Sequence, residues 1–356
     1  MTVLNGYSNK AIAQRLISLI SDLKPKGLQF MEVCGTHTVS LSRSGIRSML
    51  PAGLRIVSGP GCPVCVTSNS DLSKAFQVAS NDRVTLATFG DMMRVPVGGD
   101  SLMNIRARGG DVRTVYSAMD AVNLETREEL VFLGIGFETT SPTVAGMMAE
   151  VERRGLTNFS LLSFFKLIPP ALGALLEGGE IKIDGLILPG HVSTIIGTEP
   201  YRFIVEEFGI PCAIAGFEPI DMLLAVYSLT KMKVSGKSAL INTYIRSVRE
   251  DGNRKALEML EKFFEPTGSS WRGLGFIPES GLKLRPEYEH MNAEAKFELK
   301  QIDMPEPANC RCADVIKGAA LPNECPLFAN VCKPESPVGP CMVSSEGACA
   351  ALYNYG

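Results

Sequence analysis

The chain has 356 residues, a length that predicts roughly two to three domains. Its composition is 45% hydrophobic and 21% charged with a net charge of −3, which is typical of a soluble globular protein and gives no sign of a nucleic-acid partner. No apolar window of 18 or more residues and no secretory signal sequence are found, so we expect neither a membrane span nor export.

Apolar periodicity predicts helices that alternate with short buried strands. A helix is expected over 10–23, where apolar residues recur at helical spacing. Another is expected over 143–154, with Ser141 as its cap and Pro142 in its first turn. This alternation predicts an α/β fold with parallel sheets that are covered on both faces. The expected strands are 28–33, 54–58, 84–89, 112–116, 129–135, 159–165, 184–189 and 211–216.

A short repeat and changes of composition predict the domain organisation. Gly-Phe-Glu follows an apolar segment at 136–138 and again at 216–218, which favours two α/β units. The chain becomes rich in Gly, Ser and Pro near 265–281, and beyond 305–307 it is rich in Cys, Pro and Gly. So short a tail is expected to need a bound metal for stability. The predicted domains are 1–155, 156–285 and 286–356.

Polar or cysteine-containing motifs follow four of the expected strands. The carboxyl ends of parallel strands form the usual ligand-binding edge of an α/β sheet, and helix N-termini there stabilise thiolates and anions. We therefore expect these motifs to line one cleft between two sheets. They are CGTHT at 34–38, GPGCPVC at 59–65, GFETT at 136–140 and PGHVS at 189–193.

The cysteines of the first two motifs are candidates for metal and redox chemistry. Cys34 is a soft ligand or nucleophile, and His37 is placed to deprotonate it or to hydrogen-bond to its metal; a buried structural cysteine is an equal alternative. Cys62 and Cys65 form a C-x-x-C in a stiff loop that opens a helix from Thr67, which favours a redox dithiol. A zinc site completed by Cys34 and His37 stays open as an alternative.

The other two motifs offer a carboxylate and a histidine. Glu138 either faces the cleft or starts a helix, and Thr139 replaces the third glycine of a dinucleotide fingerprint. His191 follows a Pro-Gly turn and is as often a structural hydrogen-bonding group as a catalyst. Cys212 is expected to be a buried core residue, and His290 to lie at the surface.

The cysteine-rich tail is the strongest signal. Four cysteines without a histidine suit a [4Fe–4S] cluster or an all-cysteine zinc site, and the absence of a C-x2-C pair favours the cluster. Cys310 and Cys341 are left over. The four cysteines are Cys312, Cys325, Cys332 and Cys349.

Together these motifs resemble the HypD family of [NiFe]-hydrogenase maturation proteins. The resemblance covers nearly the whole chain and includes the ending CPLFANVCKPESPVGPCMVSSEGACAALY. It implies a cytoplasmic protein with two α/β domains of related topology and a third region that holds a [4Fe–4S] cluster. It also implies that the protein, together with a HypC-type small chaperone, is the scaffold on which the Fe(CN)2CO group is assembled. A HypE-type protein would donate the cyanide ligands.

The resemblance assigns roles to particular residues. The family's essential cleft cysteine corresponds to Cys34, its redox dithiol to Cys62 and Cys65, and its cluster pattern to the four tail cysteines. As a hypothesis, Cys34 and a partner's cysteine hold the iron, with Cys62 or Cys65 as an additional ligand. The cluster supplies electrons to the dithiol, an arrangement that resembles ferredoxin:thioredoxin reductase. In this hypothesis, three further side chains donate hydrogen bonds to the cyanide ligands or transfer protons: His37, Glu138 and His191.

Two other function classes stay open. One is a cluster-fed thiol–disulfide reductase without an iron cargo. The other is a binding module in which zinc links the cleft to the tail. Loss of iron on replacing Cys34 would separate assembly from reduction, and metal analysis would identify zinc.

Overall fold

The computed structural model describes residues 9–356, and its strands follow the sequence prediction closely. Each of the eight expected strands is present, and three further strands occur after residue 239. The strands are β1 (Leu28–Glu32), β2 (Leu54–Ser58), β3 (Val84–Phe89), β4 (Asp111–Val115), β5 (Glu129–Gly134), β6 (Phe159–Ser163), β7 (Gly185–Pro189), β8 (Cys212–Ala215), β9 (Leu240–Asn242), β10 (Phe264–Trp271) and β11 (Gly275–Leu284).

Helices connect these strands, and several short helices lie in the tail. The α-helices are α1 (Lys10–Asp22), α2 (Gly35–Arg43), α3 (Ile46–Met49), α4 (Pro63–Val66), α5 (Asn69–Ala79), α6 (Leu102–Ala107), α7 (Ala118–Ala121), α8 (Ser141–Arg154), α9 (Ile168–Gly178), α10 (Gly190–Ile196), α11 (Arg202–Phe208), α12 (Pro219–Val234), α13 (Arg254–Phe263), α14 (Ala293–Lys296), α15 (Cys312–Lys317), α16 (Pro340–Val343) and α17 (Ala348–Tyr355). Short 3-10 helices lie at Gly90–Arg94, Glu199–Tyr201, Pro286–Met291 and Pro322–Glu324.

Two parallel sheets form the body of the protein, which confirms the predicted α/β class. One sheet has five strands in the order β2-β1-β7-β8-β9, and the other has four in the order β4-β3-β5-β6. Strands β10 and β11 form a separate antiparallel hairpin. The five-stranded sheet is discontinuous in sequence, because β1 and β2 come from the predicted domain 1–155 and its other three strands from the predicted domain 156–285. The domain division itself stays a prediction.

The core follows from the alternation of side chains along the strands. In β1, Met31 belongs to a central apolar cluster that joins both sheets and the tail, whereas Phe30 belongs to a cluster on the outer face beneath α1 and α12. A third cluster covers the outer face of the four-stranded sheet, beneath α8 and the hairpin. The central cluster includes cysteines of both the GPGCPVC loop and the tail, so the candidate site is part of the core.

Two helix starts differ from the expectation. Helix α8 begins at Ser141 itself and Thr140 occupies the capping position, while Pro142 lies in the first turn as predicted. The helix expected from Thr67 is instead two helices, since α4 starts at Pro63 and ends before Thr67. Ser68 caps α5 by accepting a hydrogen bond from a backbone N–H. Across residues 9–356, no helix has the length and apolar character needed to cross a membrane.

Candidate functional site

The loops that follow β1 and β2 pack directly on each other. The N–H of Gly35 donates to the carbonyl of Gly61 at 2.8 Å, and the N–H of Gly59 donates to the carbonyl of Glu32 at 2.7 Å. A Cβ atom on Gly61 would lie 2.2 Å from the backbone nitrogen of Cys34, so only glycine permits this contact. Because β1 and β2 are neighbours in the sheet, the CGTHT and GPGCPVC motifs meet at its carboxyl edge.

Cys34 lies at the start of α2 and is nearly enclosed. Its relative exposure is 8%. Burial raises the pKa of its thiol to about 12, although the backbone N–H groups of His37 and Thr36 partly oppose this effect. The thiol is therefore neutral at pH 7 and has to lose its proton before it can bind a metal ion.

His37 is buried beside Cys34 and is linked to His191 by an aromatic stack. The ring of Phe217 lies 5.0 Å from that of His37 and 3.8 Å from that of His191. His37 Nε2 lies 3.1 Å from the carbonyl of Ala215, so Nε2 donates and Nδ1 holds the lone pair. This Nδ1 has no hydrogen-bond partner within residues 9–356. Burial lowers the pKa of His37 to about 4, so the ring is neutral at pH 7 and its Nδ1 can accept a hydrogen bond.

Cys62 and Cys65 form a close pair at the two ends of one helical turn. Their sulfur atoms are 2.6 Å apart, both are free thiols, and both are buried. Burial opposes ionisation of Cys65, but contacts with Cys341 and Cys62 and the charge of Arg272 outweigh it and lower the pKa to about 5. Burial and the neighbouring Cys65 raise the pKa of Cys62. The pair thus combines one thiolate with one thiol, which suits thiol–disulfide exchange.

Arg272, which no sequence motif indicated, anchors this helical turn. It follows β10 at the tip of the hairpin and is almost completely buried. Its Nε donates to the carbonyl of Cys65 at 3.0 Å, and its Nη2 donates to the carbonyl of Thr67 at 2.9 Å and to Asn69 at 2.8 Å. Glu306 pairs with the same guanidinium. One side chain therefore connects the hairpin and the start of the tail to the turn that holds Cys62 and Cys65.

Glu32 is a second group that the sequence analysis missed. It is fully buried at the end of β1 and accepts hydrogen bonds from the Thr38 hydroxyl at 2.5 Å and from the Cys34 N–H at 3.2 Å. Burial, which the charge of Arg47 partly opposes, raises its pKa to about 7. The sequence did contain a signal for Glu32, namely a carboxylate in a strand predicted to be buried. Such a residue is rarely buried without a specific partner.

Glu138 lies at the other sheet, at the end of the GFETT loop. Its Oε1 accepts a hydrogen bond from the N–H of Ile168, the first residue of α9, at 2.9 Å. Its Oε2 is buried and has no partner among the described residues. Burial raises the pKa of Glu138 to about 7. Glu138 thus binds the start of α9, whereas α8, the helix that follows its own loop, begins at Ser141; one oxygen of Glu138 has no partner within residues 9–356.

The tail covers the two cysteine loops and brings a second cysteine pair. The sulfur atoms of Cys312 and Cys341 are 2.7 Å apart, and Cys341 also contacts Cys65 and Cys349. Sequence spacing could not reveal this pairing, since the two residues are 29 positions apart. Cys325 and Cys310 are partly exposed. In the part of the chain described, no three Cys, His, Asp or Glu side chains converge closely enough to hold a single metal ion.

Glu346 extends the contact between the tail and the Cys34 loop. Its Oε1 accepts a hydrogen bond from the Thr36 hydroxyl at 2.6 Å. Burial raises the pKa of Glu346, while the bond from Thr36 opposes this change. The structure therefore brings Cys34, Cys62 and Cys65 together beneath the tail and joins His37 to His191, whereas Cys212 is buried in β8 as expected.

Comparison with known proteins gives one consistent result. The profile of the HypD family, described as the hydrogenase formation hypA family, matches residues 10–356. Hydrogenase maturation factor HypD of Cupriavidus necator is 42% identical, and the alignment covers 100% of this chain and 97% of that protein. HypD of Rhizobium leguminosarum is 42% identical over 100% and 96% of the two chains. The hydrogenase expression/formation protein HupD of Azotobacter chroococcum is 41% identical over 100% and 97%. The chain therefore belongs to the HypD family.

Proposed function

We propose that this protein acts in hydrogenase maturation as a redox-active scaffold for assembling the Fe(CN)2CO group. The names of its relatives support the role in maturation. The convergence of Cys34, the Cys62–Cys65 pair and the cysteine-rich tail in one buried site supports the scaffold. In this proposal, Cys34 binds the iron together with a cysteine of a HypC-type chaperone, and a HypE-type protein donates cyanide. Thiolate ligands suit low-spin iron that carries strong-field ligands.

The two cysteine pairs can exchange electrons by thiol–disulfide exchange. Neighbouring cysteines and burial raise the pKa of Cys341, so it reacts as a thiol. It attacks a disulfide between Cys62 and Cys65 at Cys65 and its proton passes to the displaced Cys62; Cys312 then attacks Cys341 and displaces Cys65 as a thiol. This sequence reduces the first pair by two electrons and two protons and oxidises the second pair by the same amount. The contact of Cys341 with both Cys65 and Cys312 supports this route.

A [4Fe–4S] cluster, when bound, would supply single electrons to the site. The all-cysteine donor set of the tail fits such a group. The predicted ligands Cys312, Cys325, Cys332 and Cys349 stay a prediction. A second set is supported by the Cys312–Cys341 contact, because a cysteine that enters a disulfide cannot also bind iron. In that set, Cys310 replaces Cys312. The two residues lie side by side, since a Cβ atom built on Gly339 would be 2.8 Å from the Cys310 sulfur and 4.0 Å from the Cys312 sulfur.

Single substitutions distinguish the two ligand sets. If Cys310 is a ligand, we expect Cys310→Ala to lose the brown absorbance and iron of the anaerobically purified protein, while Cys312→Ala keeps them. The iron content, the sulfide content and the visible absorbance spectrum of each variant are measured. The reverse result would establish Cys312 as the ligand.

The scaffold proposal is tested by infrared spectroscopy of the full chain purified anaerobically with its partners. We expect cyanide and carbonyl stretching bands in the wild type and their loss in Cys34→Ala. Cys212→Ala, which changes a cysteine buried in β8, is the matched control and should keep the bands. Bands absent from the wild type, with disulfide reduction intact in Cys34→Ala, would instead favour the reductase without an iron cargo.

A further inference from the structure

Tyr201 is a fully buried tyrosine whose hydroxyl has no hydrogen-bond partner among residues 9–356. It ends the 3-10 turn Glu199–Tyr201, and its own backbone N–H is satisfied by the carbonyl of Thr198 at 3.2 Å. Its side chain is part of the central apolar cluster between the sheets. The ring is therefore well packed, and only the hydroxyl is unsatisfied.

The position of Tyr201 in the fold places this hydroxyl near the Cys34 loop. It follows α10, which starts at the carboxyl end of β7, and β7 lies next to β1 in the sheet. Burial raises the pKa of the Tyr201 phenol, and the Glu138 carboxyl group and the Cys34 and Cys212 thiols raise it further. The hydroxyl of Ser193 is near the phenol, but the two groups do not form a hydrogen bond. Ser193 donates instead to the carbonyl of Pro189 at 2.8 Å.

Besides Nδ1 of His37, two buried polar atoms of this part of the core have no partner among the described residues. They are the hydroxyl of Tyr201 and Oε2 of Glu138. A buried polar group that makes no hydrogen bond destabilises the folded state, and phenylalanine would fill the same space without that penalty. The hydroxyl therefore favours a hydrogen-bonding partner that binds to this region and is not part of the chain.

We propose that Tyr201 is a hydrogen-bond donor to a small acceptor bound at Cys34, namely a cyanide or carbonyl ligand of the iron group. The inference rests on the proposed function, because it takes the cargo as given. Oε2 of Glu138, the other unpartnered oxygen, is a second candidate to contact the same ligand. His37 remains a separate group, since its ring is fixed by Ala215 and Phe217.

Tyr201→Phe tests this proposal, because it removes one oxygen atom and keeps the ring. Without iron, the variant should unfold at a temperature roughly 2–4 °C higher than the wild type, since the unsatisfied hydroxyl is gone. When the complex is loaded, we expect at least one cyanide or carbonyl band to shift and the retention of iron to fall roughly tenfold. Tyr116→Phe is the control for the same chemical change, because Tyr116 is 99% exposed and its replacement should change neither property.

Each other result would overturn the proposal. A lower unfolding temperature for iron-free Tyr201→Phe would mean that the hydroxyl already has a partner within the protein. A higher temperature with unchanged bands and retention would mean that the hydroxyl meets only water or nothing. Absence of the bands from the wild-type complex would overturn the proposed function itself, and the two failures are therefore distinguishable.

Discussion

At the scale of single residues, the site is built from ionisable groups kept neutral by burial. Cys34, His37 and Glu138 all have pKa values shifted towards their uncharged forms, and desolvation is the largest cause in each case. Cys65 is the exception, because Arg272 and two sulfur neighbours stabilise its thiolate. In the proposed function, the iron group would therefore meet neutral hydrogen-bonding groups and one thiolate, with little fixed charge.

The raised pKa of Glu138 has a consequence for stability. In the folded protein the pKa is about 7, whereas the unfolded value is near 4.5. Its stabilising contribution is complete below pH 4.5 and is lost as the pH rises through 7, because ionisation is easier in the unfolded chain. Glu138→Gln should therefore reduce the loss of unfolding free energy between pH 5 and pH 8 by roughly 3 kcal/mol.

Chemical unfolding at both pH values checks this prediction. Glu128→Gln, on an exposed side chain, is the control and should leave the pH dependence unchanged. Glu32 titrates over the same range and is present in every variant, so its contribution cancels. An unaltered pH dependence in Glu138→Gln would show that the carboxyl group is not the source.

At the scale of elements, the sequence predicted the regular parts of the chain well. The strands of both parallel sheets are near-continuous apolar runs, which periodicity detects. Hairpin strands β10 and β11 were missed because they are rich in Gly, Ser and Pro and were interpreted as a change of composition. Strand β9 has three half-buried residues and is too short to give a pattern.

Some contacts of the candidate site could be predicted from the sequence and others could not. The Cys62–Cys65 pair could be predicted because a spacing of three residues fixes the geometry of one helical turn. The Cys312–Cys341 pair could not, since the irregular tail gives no relation between spacing and distance. Arg272 and Glu32 were missed because their roles depend on contacts between elements.

The loop contact at Gly61 allows a direct test. A methyl group there would meet the backbone of Cys34 and Val33, which cannot move aside as a flexible side chain could. Gly61→Ala should therefore lower the free energy of unfolding by about 1–3 kcal/mol and separate the two cysteine loops. Equilibrium unfolding measures the first effect, and the yield of Cys34-dependent iron loading measures the second.

Gly146→Ala is the matched control for that change. Gly146 lies within α8, and a Cβ atom there would meet nothing within 4 Å. Alanine has the higher helix propensity, so this variant should gain about 0.5–1 kcal/mol. If Gly61→Ala were as stable as the wild type, close packing of the two loops would not be required.

At the scale of the whole molecule, the candidate site lies where three parts of the chain meet. The carboxyl edge of the five-stranded sheet supplies Cys34, the Cys62–Cys65 turn and His191, while the four-stranded sheet supplies Glu138. The tail completes the enclosure and contributes the second cysteine pair. The motifs predicted that such a meeting point exists, whereas the discontinuous sheet that creates it emerged only from the strand order.

The strand order also has a consequence for synthesis on the ribosome. Strands β1 and β2 leave the ribosome first, but their neighbour β7 begins only at residue 185, and the last tail cysteine is residue 349. Pairing across so long a separation is slow, and such strands have exposed edges until it occurs. The thiols of Cys34, Cys62 and Cys65 therefore lack the covering tail until residues 312–349 have been synthesised, and we expect the nascent chain to need reducing conditions up to that point.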